Sequence, residues 1–318
     1  MDLVKVRVVR VVQEADDIRS FELASANGEP LPAFSAGSHI DVKVSDSIIR
    51  QYSLCNDPDI PSHYRIGVLK DPNSRGGSVA LHESVAEGCI LDISRPKNHF
   101  SLVSSDQTLL FAGGIGITPL LSMATRLSRI GADFEMHYAA KSVARMAFVK
   151  EIMASTFSSR VHFYYDDGDS INKISPDLIF GRFRSDAQVY VCGPKGFIDY
   201  ICQSASDFGF NKSNIHFEYF AAAPKLTRSE GEFKVQIAST GLVYEIPAEK
   251  SILQVLSENG VAIPYSCEQG VCGTCATRVL KGLPDHRDLF FSTAEQEKND
   301  IFTPCCSRSR SDLLVLDI

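Results

Sequence analysis

Over the first hundred residues apolar and polar positions alternate in short runs. His39-Ile-Asp-Val-Lys-Val44, Ile66-Gly-Val68 and Cys89-Ile-Leu-Asp-Ile93 are three of them. A period of two puts alternate side chains on one face of a strand. Gly, Pro, Asn and Asp gather between the runs, at Ser25–Pro30, Asn56–Pro61 and Asp71–Gly77. Short strands punctuated by turns predict an antiparallel β-barrel over residues 1–102.

From residue 103 the pattern changes. Thr108-Leu-Leu-Phe-Ala112 is apolar throughout, as a strand buried on both faces would be, and Leu120, Leu121, Met123 and Leu127 then fall at helical spacing. Phe134–Tyr138, Val161–Tyr165, Val189–Val191 and His216–Phe220 supply further strands, so residues 103–228 predict an α/β domain with a parallel sheet. Ala221–Gly231 reads as a linker. Beyond it, Phe233, Val235 and Ile237 alternate, Thr240-Gly241 turns the chain, and Leu242, Tyr244 and Ile246 alternate back. Ser251 with Gln254 three positions on is a capping box opening a helix that Gly260 ends. Hairpin, helix, then a cysteine-rich loop is a β-grasp order, which gives a third, α+β domain over residues 229–318.

The composition, 318 residues with 44% apolar and 22% charged, is that of a soluble multidomain chain. A net charge of −7 argues against nucleic acid as a partner. Residues 229–318 hold 13 acidic and 8 basic side chains, a balance of −5 against −2 for the rest, so the last domain is suited to steering a basic partner. Glu268 and Asp288 are the carboxylates expected on its docking face. The apolar stretch Leu109–Ala124 is broken by glycines and a proline and reads as core. No secretory h-region opens the sequence, and the nine cysteines are an odd number, so a reduced, cytoplasmic protein is expected.

Those cysteines carry the strongest signal. Four residues separate Cys267 from Cys272 and two separate Cys272 from Cys275; Cys305 and Cys306 follow much later. Gly270 and Gly273 permit the tight curl that would bring three thiolates together. A Cys-x4-Cys-x2-Cys triplet with a distant fourth cysteine is plant-type [2Fe–2S] spacing. Zinc sites favour two paired knuckles, disulfides an oxidising compartment, and Rieske ligation needs histidines that are absent beside these cysteines.

Four other stretches suggest cofactor chemistry. Arg50-Gln51-Tyr52-Ser53 puts Arg50 and Tyr52 on one strand face and Ser53 on the other. Ser74-Arg75-Gly76-Gly77-Ser78 opens a short helix, whose unpaired N–H groups suit a phosphate. Gly113-Gly114-Ile-Gly116-Ile117-Thr118-Pro119 follows a buried strand, and Cys192-Gly193-Pro194 follows a later one, so both loops are fitted to a pyrophosphate at strand C-termini.

Taken in order, Arg50–Ser53, Gly113–Pro119, Cys192–Pro194 and the cysteine cluster resemble the phthalate dioxygenase reductase family over the whole length of the chain. The resemblance implies FMN, NADH and a [2Fe–2S] cluster as cofactors, with Cys267, Cys272, Cys275 and Cys305 as metal ligands and Cys306 as a buried neighbour. It implies that Arg50, Gln51, Tyr52, Ser53, Leu69, Lys70, Arg75, Gly76, Gly77 and Ser78 hold FMN. Gly113, Gly114, Gly116, Ile117, Cys192, Gly193 and Pro194 would contact the nicotinamide nucleotide, Thr118 would border the flavin, and Phe220 would shield its ring. Cys192, Phe220 and Thr118 are thus the residues expected at the reacting centre. A cation at Lys141 could reach the 2′-phosphate of NADPH. Two electrons arrive together from NADH and leave singly through the cluster, which requires a flavin between them. A monomer is expected, with a terminal Rieske-type oxygenase as its partner.

Overall fold

The computed structural model describes residues 3–45, 48–60, 62–71, 76–166, 173–220, 231–265 and 267–318. The chain divides into two compact units, Met1–Phe220 and Ala221–Ile318.

The first unit contains two sheets. Strands β1 (Leu3–Ala15), β2 (Ile18–Ser25), β3 (His39–Ser45), β4 (Ile48–Ser53), β5 (Tyr64–Leu69) and β6 (Ile90–Ser94) form an antiparallel sheet in the order β4-β3-β6-β1-β2-β5. A bridge between Leu54 and Ile66 joins its two edges and closes the barrel. The period of two works as expected: Val6, Val8, Phe21, Leu23, Ile40, Val42, Ile66, Val68 and Ile93 all point into one core. His39 and Asp41 alternate with core residues yet are also buried. Lys97 covers them, bridging His39 through the backbone and pairing with Asp41 at 2.7 Å. Helix α1 (Gly77–Ser84) lies between β5 and β6 in the chain.

The second sheet is parallel throughout, with β7 (Gln107–Gly113), β8 (Asp133–Ala140), β9 (Val161–Tyr165), β10 (Gln188–Gly193) and β11 (Ile215–Tyr219) in the order β11-β10-β7-β8-β9. Helices α2 (Ile117–Arg129), α3 (Val149–Ala154), α4 (Pro176–Phe180) and α5 (Lys195–Asp207) belong to this layer. The chain moves outward from β7 to β8 and β9, then returns on the other side of β7 as β10. Strand order therefore reverses between β7 and β10, the place where open α/β sheets bind ligands beyond their strand C-termini.

The second unit is built on a mixed sheet. Strands β12 (Phe233–Ile237) and β13 (Val243–Ile246) form the expected hairpin, and helix α6 (Ile252–Glu258) starts at a complete capping box between Ser251 and Gln254. Then come β14 (Thr277–Lys281), β15 (Pro284–Asp285), α7 (Thr293–Gln296), β16 (Ile301–Phe302), β17 (Arg308–Ser309) and β18 (Leu313–Leu316). The sheet order is β13-β12-β18-β14-β16, and β15 pairs with β17 beside it. The last strand thus inserts in parallel next to the first, the β-grasp arrangement, over a core of Val235, Ile252, Leu256, Phe302 and Leu314. Among the described residues no helix is long and apolar enough to cross a membrane.

Candidate functional site

The two nucleotide loops meet at the switch point of the parallel sheet. A Cβ added to Gly116 would lie 2.2 Å from the Cys192 carbonyl oxygen, and one on Gly113 would lie 2.9 Å from the Phe197 ring. One on Gly193 would come within 2.9 Å of the Gly113 Cα. The loops after β7 and β10 therefore touch backbone to backbone, which only residues without Cβ allow. Gly114 lies in the left-handed region with open space around it (φ 56°). Thr118 and Ile117 are buried at the start of α2, and the Thr118 hydroxyl donates to the Ile115 carbonyl at 3.1 Å.

Three chemically active side chains converge here. Cys192 is fully buried, and β10–β11 pairing sets Glu218 beside it. The Glu218 carboxyl shares a hydrogen bond with Ser53 at the end of β4, while its second oxygen is buried with no partner. Burial raises this carboxyl to about 8, the Ser53 hydrogen bond opposing the rise. Burial, and then the nearby Glu218 charge, push the Cys192 thiol well above its ordinary value. A thiol held neutral in this way is not activated as a nucleophile. Glu218 was not singled out from the sequence. It stands inside an aromatic strand at the sheet edge, and what marks it out is Ser53, far away in sequence.

On the barrel side, Arg50 and Tyr52 are half-buried on one face of β4, and Ser53 is buried on the other. A Cβ on Gly77 would lie 2.5 Å from Arg50 Cγ, and Gly76 takes a left-handed φ of 91° just before α1. The arginine and the N-terminus of this helix are thereby brought together, as one phosphate would need. Ser78 accepts from the Asp71 amide at 3.2 Å. Lys70 is held by Glu83 at 2.9 Å, and Gln51 turns toward His39 at 3.3 Å, on the face opposite Arg50. Leu69 is half-buried at the end of β5. Arg75 lies outside the described residues. Phe220, the last residue of this unit, is 37% exposed, and Lys141 is exposed just past β8.

In the second unit Cys267, Cys272, Cys275 and Cys305 are all buried, and none of them is in a disulfide. Cys267 contacts Cys272 and Cys305, and Cys305 also contacts Cys275. Amide groups of Gln269 and Val271 point at the Cys267 sulfur, the former at 3.3 Å. Donation from Cys272 and Cys305 pulls the Cys267 thiol far below its usual value, and the same contacts push Cys272 and Cys305 up. Among the described residues no trio of His, Cys, Asp or Glu is gathered as a single metal ion requires. The sulfurs form a string, Cys272–Cys267–Cys305–Cys275, with Cys306 beside Cys305, and four thiols gathered in this way would suit an iron–sulfur cluster.

The loop's glycines are both sterically required. Gly270 (φ 72°) has no room for a Cβ, which would lie 2.4 Å from Cys306 Sγ, and Gly273 (φ 66°) is covered by the Phe290 ring at 2.3 Å from the same virtual atom. Cys306 is half-buried, packed on Gly270 and hydrogen-bonded to Thr303 at 3.2 Å. One expectation fails. Asp288 is only 2% exposed, because its backbone lies against Gly270 and its carboxylate accepts from the Phe291 amide at 2.8 Å. It braces the cysteine loop from behind and belongs to no docking face. Glu268 is half-buried in the same loop.

Residues 235–310 match the family described as the 2Fe-2S iron-sulfur cluster binding domain. A vanillate O-demethylase oxidoreductase of Pseudomonas putida is 49% identical over 313 residues, covering 98% of each chain. Another of that name, from Pseudomonas sp. (strain HR199 / DSM 7063), is 48% identical over 305 residues and 96% of each chain. The solved structure of phthalate dioxygenase reductase, described as modular for electron transfer from pyridine nucleotides to [2Fe-2S], superposes with a TM-score of 0.81 at 35% identity, covering 100% of this chain and 98% of the other. Agreement over whole chains, in a barrel, a parallel sheet and a four-cysteine β-grasp unit, has one meaning: the chain belongs to the phthalate dioxygenase reductase family.

Proposed function

We propose that this protein is the NADH-dependent reductase of a two-component Rieske-type system that demethylates vanillate, with FMN and a [2Fe–2S] cluster as its cofactors. The observation that carries the reading is the presence, on one chain, of a nucleotide crevice abutting the Arg50–Ser53 strand and a buried four-thiol site. The first suits a donor of electron pairs, the second a one-electron carrier, and a flavin works at both levels. Near-equal length and about half identity to the vanillate O-demethylase oxidoreductases support the vanillate assignment.

The chain's own residues have definable tasks. Arg50 and the Gly76–Ser78 amides would neutralise the FMN phosphate, and Tyr52 and Ser53 would line the flavin. Gly113, Gly114, Gly116, Gly193 and Pro194 would let the nucleotide approach backbone. Cys192 and Thr118 would border the reacting faces and exclude water. Glu218 carries its proton near neutrality and, through Ser53, holds β4 against the nucleotide layer. Cys267, Cys272, Cys275 and Cys305 would hold the cluster, with the Gln269 amide aimed at sulfur.

The test is anaerobic reduction of the purified protein by NADH and NADPH, followed by mixing with a vanillate-demethylating oxygenase and vanillate. Flavin bleaching followed by cluster bleaching, and formaldehyde only when both proteins are present, is expected. A chain that reduces free flavins or quinones but leaves its cluster oxidised would refute the reading.

A further inference from the structure

Two contacts between the barrel and the nucleotide layer bear on the crevice. One is polar and adjustable, the Ser53–Glu218–Cys192 contact from β4. The other comes from β5, the strand that Leu54 and Ile66 join to the end of β4, and it is steric. Gly67 of β5 is buried against the start of α2. A Cβ there would lie 2.8 Å from Thr118 Cγ2 and 3.1 Å from Phe148 Cζ. Thr118 cannot swing aside freely, because its hydroxyl is bonded to Ile115 at 3.1 Å. Phe148 cannot either: it is 1% exposed, sits at a left-handed φ of 62°, and lies under the Arg65 guanidinium at 5.2 Å. Arg65, two residues before Gly67 on the same strand face, is also clamped to Glu151 of α3 by two 2.7 Å bonds. The far end of α2 is fixed as well, since Arg126 and Arg129 pair with Asp59 and Asp57 from the loop after β4.

Thr118 is followed back along the chain by Gly116, which rests on the Cys192 carbonyl. From Gly67 through Thr118 and Gly116 to Cys192 there is no slack. We propose that Gly67 is a spacing residue for hydride transfer: its bare Cα sets how closely the nucleotide loops seat on the flavin-bearing barrel. This rests on the function proposed above. Hydride transfer needs reacting atoms about 3–3.5 Å apart, and a misplacement of about 1 Å costs on the order of a hundredfold in rate. Carbon atoms in ordinary contact lie about 3.5–4.0 Å apart, so a methyl at Gly67 forces the layers apart by several tenths of an ångström or more.

The experiment compares wild type, Gly67→Ala, Thr118→Ser and Gly67→Ala/Thr118→Ser as full-length holoproteins, the Thr118→Ser single variant measuring what that residue contributes at the reacting centre by itself. Thr118→Ser deletes the obstructing methyl and keeps the hydroxyl. Flavin affinity is read by fluorescence, stability by melting, the NADH–flavin charge-transfer band and hydride-transfer rate by stopped flow. Gly67→Ala should keep flavin affinity and cluster content, lose charge-transfer absorbance, and slow hydride transfer at saturating NADH about 10- to 100-fold. The double variant should fall little below Thr118→Ser alone in both, the remaining difference being the Phe148 contact. A Gly67→Ala protein that matches wild type in band and rate, or a double variant that falls as far below Thr118→Ser as Gly67→Ala falls below wild type, would overturn the spacing role. A wild type that NADH cannot reduce would instead refute the function itself. Should Gly67→Ala fail to fold, recovery of fold and rate together by Thr118→Ser supports the proposal, and failure of both variants overturns it.

Discussion

Glu218→Gln should change how stability depends on pH. Burial lifts the Glu218 carboxyl from 4.5 to about 8, so the folded protein keeps a proton that the unfolded chain has already lost. More protons bound in the folded state means that stability falls as pH rises, across the window from about 4.5 to about 8. One pH unit inside that window is worth about 1.4 kcal/mol, so going from about pH 5 to about pH 7.5 costs at most about 3 kcal/mol. For a unit of this size that corresponds to roughly 6–12 °C in melting temperature. Glutamine has the same shape and no charge, and it can still bond Ser53. The Tm of the variant should therefore stay near wild type at the acid end and exceed it by roughly 6–12 °C at the other. Calorimetry alongside flavin-release fluorescence isolates the first unit's transition. A difference that stays constant across the pH range would show that Glu218 ionises in the fold as it does in water.

Cys305→Ser should lose the cluster while Cys306→Ser keeps it, because Cys305 lies against both Cys267 and Cys275, whereas Cys306 reaches the group through Cys305 and rests on Gly270; iron content and visible spectra decide this. Gly116→Ala would place a Cβ 2.2 Å from the Cys192 carbonyl, so it should cost about 1–3 kcal/mol and slow NADH-driven bleaching at least tenfold while flavin stays bound. The excess of acidic residues in 229–318 predicts that electron delivery to the oxygenase slows with salt, since charges are screened beyond about 10 Å at 0.1 M. Glu268→Lys should reproduce part of that loss without altering NADH-to-flavin transfer, whereas Asp288→Lys should unfold the cysteine loop. Equal salt response in wild type and Glu268→Lys, read by stopped flow with the oxygenase, would count against steering.

What the sequence by itself determined was whatever a short window contains. The hairpin at Thr240-Gly241, the capping box at Ser251 and Gln254, and the glycine turns at Gly270 and Gly273 are set by local torsional preference and hydrogen bonding, and all are present. The spacing from Cys267 to Cys275 likewise limits where three sulfurs can go. Alternation told which residues face the barrel core, but a period reports only the face, not what covers the opposite one. That is why His39, Asp41 and Asp288 are buried where polar surface was the natural expectation. Three features required chains far apart in sequence to meet: the reversal of strand order between β7 and β10, Glu218 reaching Ser53, and Gly67 seated on Thr118. No residue near them encodes those contacts. They follow from close packing of whole layers, where the absence of a single Cβ or the burial of one carboxyl is decided by the opposing surface.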